Sequence, residues 1–263
     1  MSKRPPSCLS NKARRLKQPS SSKTAVVSGV CYGFIGNRMA EVYGRENELL
    51  LLAGATPEQI DAVVQSPSHL GLAMGPCRML DMAGVDVGAE TVIEWIKSGG
   101  APADPTYRIV CRTLFERGHF GQKTGLGYYR YDGRTPIPAT ETAVMLETLA
   151  QQLGVVRRAS IDAQEILERL LYPMINEAAR ILDEGIAYRP ADIDVVWTAG
   201  YGFPNYRGGP VFMADEIGIK QVVAQLDHYA QACSNEHGYW TVSPLLRRLA
   251  HEGRRLSDWT PGT

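Results

Sequence analysis

Residues about 131 to 134 positions apart repeat along this chain. Arg38, Glu46 and Gly54 recur as Arg169, Glu177 and Gly185 at a constant offset of 131. Asp61 recurs as Asp194 at offset 133, and Gly75-Pro76, Asp81 and Gly84 recur as Gly209-Pro210, Asp215 and Gly218 at offset 134. A drift of three residues is what short loop insertions leave. The unit spans about 100 residues, well beyond the roughly 20 to 50 residues of a solenoid repeat. The 263 residues therefore fold as two related units, within the range of one large or two modest domains.

The apolar spacing inside the units is helical. Met39, Val42, Leu49, Leu50 and Leu52 give a helix from Asn37 to Ala53, with Gly54 at its end. Arg45-Glu46-Asn47-Glu48 interrupts that stripe and is expected to mark its outward side. Thr56-Pro57-Glu58-Gln59 reads as a start signal, with Thr at the N-cap and Pro at the first helical position. That helix carries Ile60, Val63 and Val64 inward and stops near Pro67. Further helices are expected from Gly75-Pro76, over Thr91 to Lys97, over Pro105 to Arg117 and over Thr140 to Leu153. The longest should run from Ser160, as N-cap, to Asp183, with Pro173 kinking or breaking it.

Gly29-Val30-Cys31-Tyr32-Gly33-Phe34-Ile35-Gly36-Asn37-Arg38-Met39 opens the first unit. The β-branched run Ala25-Val26-Val27 before it predicts a strand, a glycine turn and then a helix. Asn37 stands at the helix mouth. Asn is a preferred N-cap, and its amide can also orient a carbonyl or hydroxyl; a helix start suits both, and local sequence leaves both open. In the second copy Glu168 precedes Arg169, and Gln164 and Leu167 stand at the positions of Gly33 and Gly36. A substrate-facing role at the helix mouth thus belongs to copy one.

Composition excludes several classes. Lys+Arg and Asp+Glu are both 28, so no global field recruits nucleic acid or an anionic membrane. Apolar runs such as Leu49 to Ala53 are too short to span a bilayer. Five scattered cysteines without a CxxC pair predict reduced thiols in a cytoplasmic-type compartment, and no metal site is expected from them or from the five histidines. Residues 1–24 hold seven Lys or Arg, six Ser, three Pro and no acid. Such a segment cannot offset its ordering entropy and is expected to be a disordered tail. A transit peptide, a basic binding arm or a remnant of a truncated frame are competing roles, but Pro5, Pro6 and Pro19 interrupt the amphipathic helix a transit peptide needs, and the favoured reading is a solvated tail of no specific function.

Val26-Val27-Ser28-Gly29 with Gly33-Phe34-Ile35-Gly36-Asn37-Arg38 resembles the entry to the C-terminal helical region of NAD-dependent 3-hydroxyacyl-CoA dehydrogenases. Two further marks agree. Gly121-Gln122-Lys123-Thr124-Gly125-Leu126-Gly127-Tyr128-Tyr129 resembles the glycine loop closing the first helical module. Gly200-Tyr201-Gly202-Phe203-Pro204 through Gly208-Gly209-Pro210 resembles the corresponding element of the second module in fatty-acid β-oxidation multifunctional enzymes. The resemblance implies an all-α fold of two tandem modules, of the 6-phosphogluconate dehydrogenase C-terminal type. The expected divisions are a tail over 1–24, a first module over 25–131, a linker and helix over 132–159, and a second module over 160–259.

The resemblance also sets the functional expectations. Complete members oxidise 3-hydroxyacyl-CoA to 3-oxoacyl-CoA with NAD. Their dinucleotide domain and catalytic His and Glu lie upstream of the Gly33-to-Arg38 element. A GxGxxG turn between strand and helix, with an acidic residue about 20 positions on, would announce that domain, and no segment here has it. The chain is therefore expected to bind no cofactor itself. Asn37 is expected to orient substrate once an NAD domain is present. Phe34 and Lys123 are candidate substrate contacts, Lys123 either meeting a CoA phosphate or simply solvated. The implied partners are the 3-hydroxyacyl-CoA, a Rossmann-domain chain docking near Asn37 on an apolar patch including Phe34 and Ile35, and a second copy in a homodimer. The alternatives are a non-catalytic helical module for binding or oligomerisation and a truncated gene product.

Overall fold

The computed structural model describes residues 24–233 and 235–261; the tail expected over 1–24 lies outside these apart from Thr24. Five helices form the first unit: α1 (Gly36–Ala53), α2 (Pro57–Gln65), α3 (Pro76–Ala83), α4 (Val85–Lys97) and α5 (Ile109–Glu116). A hairpin of β1 (Tyr129–Asp132) and β2 (Thr135–Pro138) and a helix α6 (Thr140–Gln152) follow. The second unit is α7 (Ala163–Asp183), α8 (Pro190–Gly200), α9 (Pro210–Ile217), α10 (Ile219–Ala232) and α11 (Pro244–Glu252). Among the described residues the only sheet is this antiparallel pair, with Tyr129 opposite Pro138. The fold is all-α, as expected.

Start signals acted as their chemistry dictates. Thr56 accepts the amide of Gln59 at 3.2 Å. The cap of α7 is Asp162, which accepts Gln164 N at 2.7 Å, two residues after the expected cap Ser160. Pro173 lies inside an unbroken α7. The strand expected at Ala25–Val27 does not form. The segment finds no partner strand, and only Ser28 makes a single bridge, to Ala187. The expected helix at Pro105 starts late, at Ile109, because Arg108 takes a left-handed φ of 51°.

The repeat is explained by two aspartates in each unit. Asp61 accepts Cys77 N at 3.0 Å and Arg78 N at 2.9 Å, satisfying the first turn of α3. Asp194 does the same for α9 through Val211 N at 2.8 Å and Phe212 N at 3.2 Å. A Cβ at Gly75 would overlap Asp61, and one at Gly209 would overlap Asp194. Glycine admits the carboxylate and proline tolerates the missing donor at N1. Asp81 binds Tyr128 N and Tyr129 N, each at 2.9 Å, while Asp215 binds Leu256 N at 2.6 Å and Ser257 N at 3.2 Å. Each unit thus ties its C-terminal segment to its third helix.

The two units share one hydrophobic core, with Met39, Leu50 and Leu51 of α1 and Ile166, Leu170 and Ile175 of α7 fully buried in it. The long helices α1 and α7 pack on each other. Arg38 reaches Glu177 at 2.5 Å, and Arg169 reaches Glu46 at 3.3 Å. Position for position these are the same pair with the copies exchanged. The chain therefore packs its two copies about a pseudo-two-fold axis, the geometry of an isologous dimer.

The tetrad Arg45-Glu46-Asn47-Glu48 faces inward, contrary to the expectation from its polarity. All four residues are buried, with Glu46 and Asn47 fully inaccessible. Each has a partner far along the chain: Arg45 lies 4.0 Å over the Tyr239 ring, Glu46 pairs with Arg169, Asn47 accepts the Cys77 thiol, and Glu48 accepts Arg108 Nε at 2.7 Å. Charges can be buried when so paired.

Candidate functional site at the mouth of the first helix

Asn37 is an exposed residue in the first turn of α1, and Ile35 occupies the N-cap without a side-chain cap bond. The capping reading of Asn37 therefore fails. Its Oδ1 instead accepts the hydroxyl of Tyr201 at 2.5 Å. Tyr201 follows directly on α8, in the second copy's glycine element, so the marks of the two copies meet here. Burial pushes the Tyr201 phenol up, which keeps it a neutral donor. With Oδ1 engaged, Asn37 Nδ2 has no partner among the described residues and is left to donate.

The glycines make this contact possible. A Cβ at Gly36 would overlap the Tyr201 ring. Gly33 has φ +75° and packs against the Arg38 amide, whose N–H donates to Gly33 O at 3.2 Å. Arg38 turns away from the mouth: its guanidinium bonds Glu184 and Glu177, which hold it charged.

Two hollows flank Asn37. One is shallow, about 470 Å³, and lined by Val26, Ser28, Phe34, Val196 and Tyr201. The other, about 320 Å³, lies between α1, α3 and α4 and is walled by Ala40, Tyr43, Met79, Leu80 and Val87. At its edge Arg108 pairs with both Glu41 and Glu48, each at 2.7 Å, and Glu41 also accepts the Tyr107 hydroxyl at 2.6 Å. Tyr32 forms a rim of this hollow, stacked on Trp95 with ring centroids 4.2 Å apart.

The three expected site residues are not gathered together. Phe34 lies beside Asn37 with φ 51° and 54% exposure, a strained, outward-facing aromatic. Ile35, expected beside it in an exposed patch, is buried in the core. Val27 and Val30 are the exposed apolar neighbours along that segment, at 57% and 88%. Lys123 is elsewhere, in the glycine loop, where its ammonium pairs with Asp86 at 2.5 Å. Its side chain stays about half exposed beside that pairing. The glycine loop wraps Asp81: a Cβ at Gly121 or Gly127 would overlap that residue.

Sequence reasoning missed Tyr201. Its motif was visible, but its partner lies 164 positions away.

Comparison with known proteins bears on the family of the chain. The family model described as "3-hydroxyacyl-CoA dehydrogenase, C-terminal domain" matches twice, over residues 33–131 and 166–257. The chain belongs to this family. The two matches of the 3-hydroxyacyl-CoA dehydrogenase C-terminal domain cover α1 through β1 and most of the second unit. The peroxisomal bifunctional enzyme of Danio rerio is 41% identical over 245 residues, covering 88% of this chain and 33% of that protein. The human peroxisomal bifunctional enzyme is 39% identical over 250 residues, covering 90% and 34%. The chain spans about a third of the length of these curated relatives. The dehydrogenase part of multifunctional enzyme 1 from C. elegans superposes with a TM-score of 0.60 at 25% identity, covering 84% of this chain and 48% of that one. The 3-hydroxybutyryl-CoA dehydrogenase of Escherichia coli gives 0.67 at 21% identity, covering 87% and 61%, a likeness of fold.

The glycines near Asn37 are taken up by Tyr201 and the Arg38 backbone, and no parallel sheet lies behind them.

Proposed function

We propose that this chain is the substrate-orienting part of an NAD-dependent 3-hydroxyacyl-CoA dehydrogenase of fatty-acid β-oxidation, and that it transfers no hydride on its own. One observation carries the reading. The Asn37 amide is fixed through Oδ1 by Tyr201, with Nδ2 free to donate to the 3-oxygen of a 3-hydroxyacyl thioester. Orientation of this kind supplies proximity, while the base for general acid–base catalysis comes from an NAD-binding unit. That unit docks on the apolar segment around Asn37, where Val27, Val30 and Phe34 are exposed. Copy two holds the place of a dimer partner inside the chain, through Arg38–Glu177 and Arg169–Glu46. We further infer a peroxisomal compartment, because the relatives named above are peroxisomal enzymes; among the described residues no helix is long and apolar enough to cross a membrane.

The test is NADH formation from 3-hydroxybutyryl-CoA. The purified chain alone is expected to give none. The chain mixed with a separately expressed NAD-binding domain of a relative is expected to give NADH, and Asn37→Ala to lower that rate. Turnover by the chain alone, or an unchanged rate in the Asn37→Ala mixture, would overturn the reading.

A further inference from the structure

A further cavity, about 360 Å³, opens on the seam between the two copies. α1 contributes Glu41 and Arg45 to its wall, α7 contributes Glu177 and Arg180, and the loop after α10 contributes His237 and Tyr239. Its hydrogen bonding is lopsided. The carboxylates have their donors: Glu41 accepts Arg108 Nη1 and the Tyr107 hydroxyl, and Glu177 accepts Arg38 Nε at 2.5 Å and Arg180 Nη1 at 3.1 Å. Asp104, next to His237, accepts the Tyr239 hydroxyl at 2.7 Å and the Thr106 amide at 2.8 Å. The cations are less well matched. Arg45 Nε and Nη2 both reach one oxygen, Glu46 Oε1, at the long distance of 3.4 Å, and Arg169 takes the other oxygen of that carboxylate at 3.3 Å. Arg45 Nη1 has no partner among the described residues and stays solvent-accessible, although the residue as a whole is 7% exposed. His237 Nε2 stands 3.6 Å from Asp104 Oδ1, outside hydrogen-bond reach.

The duplication shows that the scaffold does not need this cation. At offset 131 the second copy carries Asn176 in place of Arg45. That amide is bonded at both ends, Nδ2 donating to Thr241 O at 2.9 Å and Oδ1 accepting Ser243 N at 2.8 Å. Copy one instead holds a guanidinium in a largely dehydrated wall with a donor left over, which is costly unless an acceptor arrives. The rest of the wall is flat and apolar. Arg45 lies 4.0 Å over the Tyr239 ring, which fixes its plane. Tyr107 follows at 6.5 Å from Tyr239, then Trp95 at 5.9 Å from Tyr107, with Pro102 beside them.

We propose that this cavity binds an organic anion, its carboxylate or phosphate head on Arg45 and His237 and a flat apolar body against Trp95, Tyr107 and Pro102. A planar guanidinium fork suits either head. The volume falls within the roughly 300–1,000 Å³ of small-molecule sites and is too large for a bare ion, so the head needs a body. Asn37 takes no part in the site. Because both copies supply the wall, the bound anion also fastens one copy to the other.

The experiment is calorimetric titration of the full chain at pH 7 with 2-naphthoate, 2-naphthyl phosphate and the neutral 2-naphthamide. At least one anion should bind tenfold or more tighter than the amide, and the tighter anion identifies the head. Arg45→Met keeps an unbranched side chain over Tyr239 and removes the charge. It should weaken that anion about ten- to a hundredfold, the worth of hydrogen bonds to a charged group, and leave 2-naphthamide unchanged. Arg45 is buried, so His237→Ala, whose side chain is 30% exposed, provides a second variant; it should weaken the anion about two- to tenfold. In a 15N-labelled sample the Arg45 Nε–H signal should move with the anion and stay still with the amide. Equal affinity for anions and amide, anion binding untouched by either substitution, or a still Arg45 signal would overturn the site.

Discussion

Arg38 of the first copy and Glu177 of the second lie 2.5 Å apart, and Arg169 and Glu46 repeat the pair with the copies exchanged. The second pair is the deeper one, its side chains 5% and 0% exposed. Removing one partner of a buried pair leaves an uncompensated charge and costs about 3–5 kcal/mol. Arg169→Ala is expected to fall in that range by urea unfolding at neutral pH. The double variant Arg169→Ala/Glu46→Ala should lose less than the two single losses combined. Additive losses would mean that the charges do not sense each other.

A different outcome is expected at the exposed end of the same network. The Arg38 guanidinium hydrogen-bonds Glu184 and holds its carboxyl below the ordinary glutamate value of 4.5. A carboxyl depressed on folding stabilises the protein above its unfolded pKa, and that stability is lost as pH falls through the folded pKa. Glu184 is half exposed, so solvent screening keeps its contribution under about 1 kcal/mol. Glu184→Gln should lower the urea midpoint at pH 7, with the gap closing below pH 4.5. A gap that persists to pH 2.5 would contradict this origin.

Gly36→Ala separates two opposing effects. Alanine in a helix is favoured over glycine by about 0.8–1.0 kcal/mol. Here its methyl would overlap the Tyr201 ring, and overpacking costs about 1–3 kcal/mol. The clash is expected to win, giving a net loss of stability. A stabilised variant would show that Tyr201 moves aside freely.

Tyr201→Phe keeps the ring against Gly36 and deletes the bond to Asn37. One hydrogen bond of this type contributes about 0.5–1.5 kcal/mol. In enzyme completed with an NAD-binding domain, kcat for 3-hydroxybutyryl-CoA should fall about two- to tenfold, with the unfolding midpoint little changed. The side-chain amide signals of Asn37 should shift in the same variant, which a purely structural role at the helix end would not require. Unmoved signals would remove Tyr201 from the site.

Much of this architecture was legible in sequence because its signals are local. Thr56-Pro57 announces a helix through its own amide chemistry. Gly75-Pro76 and Gly209-Pro210 announce two more, and the offset between them reveals the duplication. What escaped detection depends on distant partners. Arg45 through Glu48 read as a solvent face because the partners that let them be buried, Arg108, Arg169 and Tyr239, lie 60 or more positions away. The hairpin β1–β2 was hidden in a segment whose Pro and Gly content resembled a linker. Asn37 could be placed at the helix mouth from its own motif, but its bond to Tyr201 could not be read from either motif alone.

The exchanged ion pairs also bear on how the chain is made. Glu46 leaves the ribosome 123 residues ahead of Arg169, the residue that neutralises it. At 5–20 residues per second that interval is on the order of ten seconds. Through it the nascent first copy has only Arg45, at 3.4 Å in the finished fold, to set against the Glu46 carboxylate. The core that α1 shares with α7 is completed only when the second copy is present.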